Sequence, residues 1–120
     1  MRIAVASQGT EQTSAVDSRF GRASCFLVFD TSDESLEVVA NSHNVKAAQG
    51  AGIQAAENIA KENVDIVVAG NFGPKAFRAL EAAGIKIASW EGGTVREAIE
   101  LARNSKLKIS DKANVEGHWM

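Results

Sequence analysis

Five short stretches of the chain, residues 3–6, 25–29, 36–40, 66–69 and 85–88, are dominated by apolar and β-branched residues and are bounded by polar or glycine-containing segments. Each has the length of a strand, so five strands are expected. The "DTSDES" segment between the second and third is turn chemistry and predicts an antiparallel hairpin. Between the later strands the period changes. Residues 52–61 place Ile53, Ala56, Ile59 and Ala60 on one helical face, and residues 75–83 do the same with Ala76, Phe77, Leu80 and Ala83. Pro74 stands at the expected first position of the second helix and Gly84 just past its end, while Thr94 and Glu97 have capping-box spacing at the start of a third.

The order is β-β-β-α-β-α-β-α. Alternation of strand and helix from residue 50 onward calls for right-handed crossovers and a parallel half-sheet, with the hairpin making the sheet mixed. This is the element order of a ribonuclease H-like α/β fold. After Ala102 the sequence turns polar and loses its period, which predicts a loosely held end. The expected organisation is one domain over residues 1–108 and a tail over 109–120, with no internal repeat.

A chain of 120 residues, 45% hydrophobic, can bury one core. Thirteen Lys and Arg against fifteen Asp and Glu leave a net charge of -2, which argues against a general nucleic-acid binder, so any anion site is local. No segment has the apolar length of a membrane span or of a secretory signal, and a cytoplasmic location is expected. The single cysteine, Cys25, rules out an internal disulfide and a thiolate-rich metal centre within one chain.

In sheets of this kind ligands bind beyond the carboxyl ends of the parallel strands, near a switch in strand order. That rule selects the loops over 7–22, 71–75 and 89–94, with 41–52 beside them. In "GNFGPKA", residues 70–76, Gly70 and Gly73 flank an exposed-looking Phe72, and Lys75 sits in a first helical turn, where a cation is unfavourable to the helix itself. An anion at that helix start and an ordinary Gly-Pro start both fit. "QGAGIQAA", residues 49–56, superficially matches a dinucleotide fingerprint, but roughly nine residues separate Gly50 from the preceding strand, and no acidic residue ends the next one. A backbone nest or close helix–sheet packing at Gly50 and Gly52 is favoured instead.

"DSRFGRA", residues 17–23, sets Arg19 and Arg22 around Phe20 and Gly21. Either Asp17 pairs with one arginine, with Gly21 supplying an unusual turn conformation, or both guanidinium groups face one anion. Cys25 reads as a small buried hydrophobe or a soft-metal ligand, and His43 as a hydrogen-bond donor or metal ligand in a neighbouring loop. Catalysis has little support. Ser7 and Ser14 lack a His-Asp arrangement, and the first strand, "RIAVAS", carries no carboxylate for a two-metal nuclease.

Taken together, "MRIAVAS", "SRFGRASCFLVFD", "GAGIQAAENIA", "VDIVVAGNFGPKAFRALEAAGIKI" and "GTVREAIELA" resemble the dinitrogenase iron-molybdenum cofactor biosynthesis family, which includes NifX-like carriers and the C-terminal region of NifB proteins. The resemblance runs over roughly residues 1–108. It implies a ribonuclease H-like domain that carries or helps assemble an anionic metal-sulfur cluster and is not an enzyme. The form of the arginine turn is most similar to the branch that holds a molybdenum-copper sulfide cluster non-covalently, thiomolybdate units bridged by copper. An iron-molybdenum cofactor precursor is the alternative cargo.

The family's arginine-phenylalanine-glycine-arginine turn falls on residues 19–22, and its glycine-rich loops on 50–52 and 70–75. Many members have histidine where this chain has Arg19, which exchanges a metal ligand for a fixed positive charge. Of the histidine-rich tail common in the family only His118 is left. The implied site is Arg19, Arg22 and Lys75 for charge, Gly50, Gly52, Asn71 and Gly73 for main-chain approach, and Phe20 and Phe72 for apolar cover, with Cys25 and His43 as secondary metal ligands. Implied partners are the cluster, its donor or acceptor proteins and a cell-division complex, for a monomer or weak dimer acting without nucleic acid or membrane. A phosphate- or nucleotide-binding module and a protein-interaction adaptor are the rival readings.

Overall fold

A computed structural model describes residues 1–41 and 50–111 of the chain. Five strands form one mixed sheet: β1 (Arg2–Ser7), β2 (Cys25–Asp30), β3 (Ser35–Ala40), β4 (Ile66–Ala69) and β5 (Lys86–Ser89). Among the described residues, three helices follow the third, fourth and fifth strands: α1 (Ala51–Ala60), α2 (Pro74–Ala82) and α3 (Val95–Arg103). The strand order is β3-β2-β1-β4-β5, with β1, β4 and β5 parallel and the β2–β3 hairpin antiparallel on the side of β1. This is the expected ribonuclease H-like arrangement.

Helices cover both faces. Ala4, Ala6, Phe26, Val28, Val67, Ala69 and Ile87 meet α1 and α2, while Ile3, Val5, Leu27, Phe29, Ile66, Val68 and Ala88 meet α3. Successive strand residues point to opposite faces, so a strand covered on both reads as an unbroken apolar run. β3 is the exception, because it is an edge strand left largely exposed.

Each helix end has a local cause. Pro74 occupies the start of α2, and Gly84 follows its end at φ +76°, a conformation that costs glycine little. At α3 the Glu97 N–H donates to Thr94 Oγ1 at 3.2 Å, and the Thr94 N–H donates to Glu97 Oε1 at 2.9 Å, closing the predicted capping box. The buried face of α1 differs from the expected one. Ala51, Gly52, Ala55, Ala56 and Ile59 are buried while Ile53 is only half-buried, because small residues at 51, 52 and 55 let the helix start lie directly on the backbone of the 17–22 turn.

The chain beyond Ala102 is held further than its polarity suggests. α3 runs to Arg103, whose guanidinium lies 5.3 Å from the centre of the Phe29 ring, and Leu107 packs on the α3-side core. The Ser110 N–H donates to the Ile87 carbonyl at 2.7 Å, which places this segment beside β5. Residues 112–120, most of the expected tail and including His118, lie outside the described residues.

Candidate functional site

The parallel strands β1, β4 and β5 end together, and the long segment after β1 folds back over their ends. Its Asp17 N–H donates to the Ala6 carbonyl at 2.8 Å and its Val16 N–H to the Gly93 carbonyl at 3.0 Å, while the Val95 N–H donates to the Ser14 carbonyl at 2.9 Å. The arginine turn is thereby delivered to the switch point of the sheet, between β1 and β4. There it is joined to the 70–73 loop. The Phe20 N–H donates to the Asn71 carbonyl at 3.1 Å, the Gly70 N–H to the Asp17 carbonyl at 3.0 Å, and Asn71 Nδ2 to the Ser18 carbonyl at 2.9 Å.

Three expectations about this turn are corrected. First, Asp17 is buried, and among the described residues its carboxylate accepts from the Arg19 backbone N–H at 2.9 Å; it shapes the turn and does not neutralise a guanidinium. Second, Gly21 is not in a left-handed conformation. It is glycine because a Cβ there would lie 2.8 Å from both the N and Cα of Gly52, at the start of α1. Third, Phe72 is not exposed. Phe20 and Phe72 are each 1% exposed and stack with ring centres 5.1 Å apart, with Phe26 5.2 Å from Phe20. These rings are a floor beneath the loops, anchored in the core.

The turn therefore sits between the N-termini of α1 and α2. Arg19 is exposed, Arg22 is half-buried, and exposed Lys75 stands in the first turn of α2. The N-cap residues of α1 and α2 are Gly50, at φ +77°, and Gly73, so among the described residues neither helix has a capping side chain, and neither carries an acidic residue in its first turn. α3, which opens on the other face, has both. Uncapped N–H groups and the positive end of a helix dipole attract an anion. Arg19, Phe20, Gly21, Arg22, Gly50, Gly52, Asn71, Phe72, Gly73 and Lys75 are thus neighbours along this junction. His43 lies outside the described residues.

Cys25 is buried at the start of β2, and its thiol donates to the Gly9 carbonyl at 3.2 Å. Burial, and next the negative charge of Asp17, push its pKa above the usual thiol value. The thiol is therefore protonated near neutral pH. Iodoacetamide should label Cys25 in the native protein more slowly than in urea-unfolded protein at pH 7.5, read by intact mass; equal rates would contradict this burial. Among the described residues, no three His, Cys, Asp or Glu side chains gather as a metal-holding group.

Two participants lie in the selected loops but were not singled out from sequence. Asn41, 1% exposed at the end of β3, donates from Nδ2 to the carbonyls of Gly21 at 3.3 Å and Ala23 at 2.9 Å. An amide directly after an apolar run was the available sign. Glu91 lies across Gly70, where a Cβ would fall 2.8 Å from its Cδ and 2.7 Å from the Ser18 Cα. It also lines an open depression of about 400 Å³ on the α3 side, with Gln8, Thr13, Val16, Gly93 and Thr94. The strand-end rule brings the two loops to one end of the sheet, but it does not pair residue 70 with residue 91.

The family model described as dinitrogenase iron-molybdenum cofactor matches residues 1–105. The chain belongs to this family. Among solved structures, the apo form of the orange protein from Desulfovibrio gigas is 40% identical, with 95% of this chain and 96% of that one covered and a TM-score of 0.92. A NifB-type protein from Thermotoga is 35% identical over 95% of this chain and 97% of its own, with a TM-score of 0.83. A dinitrogenase-type protein from Methanocaldococcus jannaschii, 20% identical over 93% and 96% with a TM-score of 0.68, shares the fold. No curated protein matches the chain. The arginine turn, the glycine junction and both uncapped helix starts all lie within the span of the dinitrogenase iron-molybdenum cofactor family match.

Proposed function

We infer that this domain is a carrier or scaffold that holds an anionic metal-sulfur cluster non-covalently at the junction of the arginine turn with α1 and α2, without turnover. The observation that carries the reading is the contrast in helix starts. The two helices abutting the arginine turn have glycine N-caps and no first-turn carboxylate, whereas α3 is fully capped. Membership of a cofactor-handling family and 40% identity to the orange protein support a cofactor-related carrier role.

The finer assignment is a thiomolybdate-type molybdenum-copper sulfide cluster. Such a cargo is multiply negative, large and polarisable, which suits a few guanidinium groups and backbone donors above an apolar floor. Arg19, Arg22 and Lys75 supply charge, Gly50 and Gly73 permit main-chain approach, Gly52 lets the arginine turn close on α1, and Phe20 with Phe72 holds the loops from below. Charge-assisted bonds to an arginine contribute about 1.5–3 kcal/mol each. Exposed Arg19 belongs at the lower end, since solvent screens it. Two such groups with backbone donors reach roughly micromolar affinity.

A ligand stabilises only through preferential binding to the folded state, by about 2.7 kcal/mol at a hundredfold excess over Kd. Tetrathiomolybdate under anaerobic conditions should then raise the melting temperature by about 10 °C in a domain of this size, while ATP and inorganic phosphate leave it within a degree or so. A rise with ATP or phosphate alone would replace the cluster reading by a nucleotide or phosphate module. No rise with any of the three would favour an adaptor.

A further inference from the structure

Five carbonyl oxygens in and beside the arginine turn are held by donors from the residues that follow β3 and β4. The Asp17 carbonyl accepts from Gly70 N at 3.0 Å, that of Ser18 from Asn71 Nδ2 at 2.9 Å, those of Gly21 and Ala23 from Asn41 Nδ2 at 3.3 and 2.9 Å, and that of Ser24 from Asn41 N at 3.4 Å. Asn71, expected to meet the ligand, thus has its amide engaged with the turn from one flank. Asn41 does the same from the other.

A site for an anion has to keep carbonyl oxygens, which carry partial negative charge, away from it. There are no cis peptide bonds among the described residues, and a trans peptide points its N–H opposite its C=O. Holding the Gly21 carbonyl from the Asn41 side therefore turns the Arg22 N–H to the other side and fixes the backbone that carries the Arg22 guanidinium. Asn41 is almost completely buried, so no water replaces its donor without rearrangement.

The geometry points to Asn41 as a positioning residue of the cluster site, whose amide holds the carbonyls of Gly21 and Ala23 inward so that the turn meets an anion with donors and positive charge. This rests on the anion-site reading above. Asn41 acts through Arg22 and needs no contact with the cargo.

The test is an anaerobic titration of the full chain with tetrathiomolybdate, followed by visible absorption, for wild type, Asn41→Ala, Arg22→Ala, the double variant and Ile99→Val. The last change is in the core of the opposite face and tests for effects of lowered stability alone. Asn41→Ala should bind about tenfold more weakly, the scale of one lost hydrogen bond. Ile99→Val should bind like wild type, and the double variant no more weakly than Arg22→Ala, since both changes remove one arrangement. Wild-type affinity in Asn41→Ala beside a weakened Arg22→Ala would overturn the positioning role and leave the site reading intact.

If wild type itself does not bind tetrathiomolybdate, the site reading fails, and amide resonances of residues 18–24 decide the rest. Unchanged resonances in Asn41→Ala would overturn the inward hold, and shifted ones would keep it. Should Asn41→Ala not fold, Asn41→Ser, which keeps a shorter donor, is read in the same way with a smaller expected loss.

Discussion

Gly21→Ala should destabilise the domain by about 1–3 kcal/mol and weaken retention of a thiomolybdate cargo, although alanine suits the backbone conformation at this position. The added methyl would sit 2.8 Å from the Gly52 N and Cα and 3.2 Å from the Ala51 carbonyl carbon. These are main-chain atoms at the start of α1, with no flexible side chain to move aside, so the turn and the helix must separate. Separation pulls Arg22 away from the α1 N-terminus and disturbs the Phe20–Phe72 stack below it. A fall in urea midpoint together with weaker thiomolybdate retention is the expected pair of results. An unchanged midpoint would show that the junction is looser than these distances allow.

Gly50 is glycine for the other reason. Its φ is +77°, and among the described residues nothing lies within 4 Å of a Cβ position, so its role is conformational. The two glycines look alike in the sequence. What separates them, a neighbouring helix for one and a left-handed backbone for the other, exists only after the chain has folded.

The architecture was more legible than the site, and the reasons are physical. Helices on both faces make β1, β2 and β4 apolar runs, and the capping box at Thr94 and the Pro74 start are local signals that need no tertiary contact. The loops that converge could be named from the strand-end rule alone. Burial within those loops could not. Phe72 stands between Asn71 and Gly73 in a glycine-rich loop and looks exposed, yet it is held under the loop by Phe20, some fifty residues earlier in the chain. Asp17 likewise looked like a partner for a guanidinium, but its carboxylate accepts from the backbone N–H two residues on. Side chains that shape a turn from within, such as Asn41 and Asp17, leave little trace in composition or period because each acts on main-chain groups that every sequence has.

The second large effect concerns the paired arginines. Removing both takes away two charge-assisted donors of about 1.5–3 kcal/mol each, enough to lower affinity by about a hundredfold or more, since 1.4 kcal/mol is tenfold. Stability should change little, because Arg19 is exposed and Arg22 half-buried. The decisive measurement is anaerobic addition of tetrathiomolybdate and copper to metal-free wild type and to an Arg19→Ala/Arg22→Ala variant, then desalting, metal analysis and visible absorption. Stoichiometric molybdenum and copper kept by the wild type and lost by a folded variant is the predicted result. Equal retention by both proteins, or none by the wild type, would contradict the assignment of the arginine turn as the clamp of a molybdenum-copper sulfide cluster.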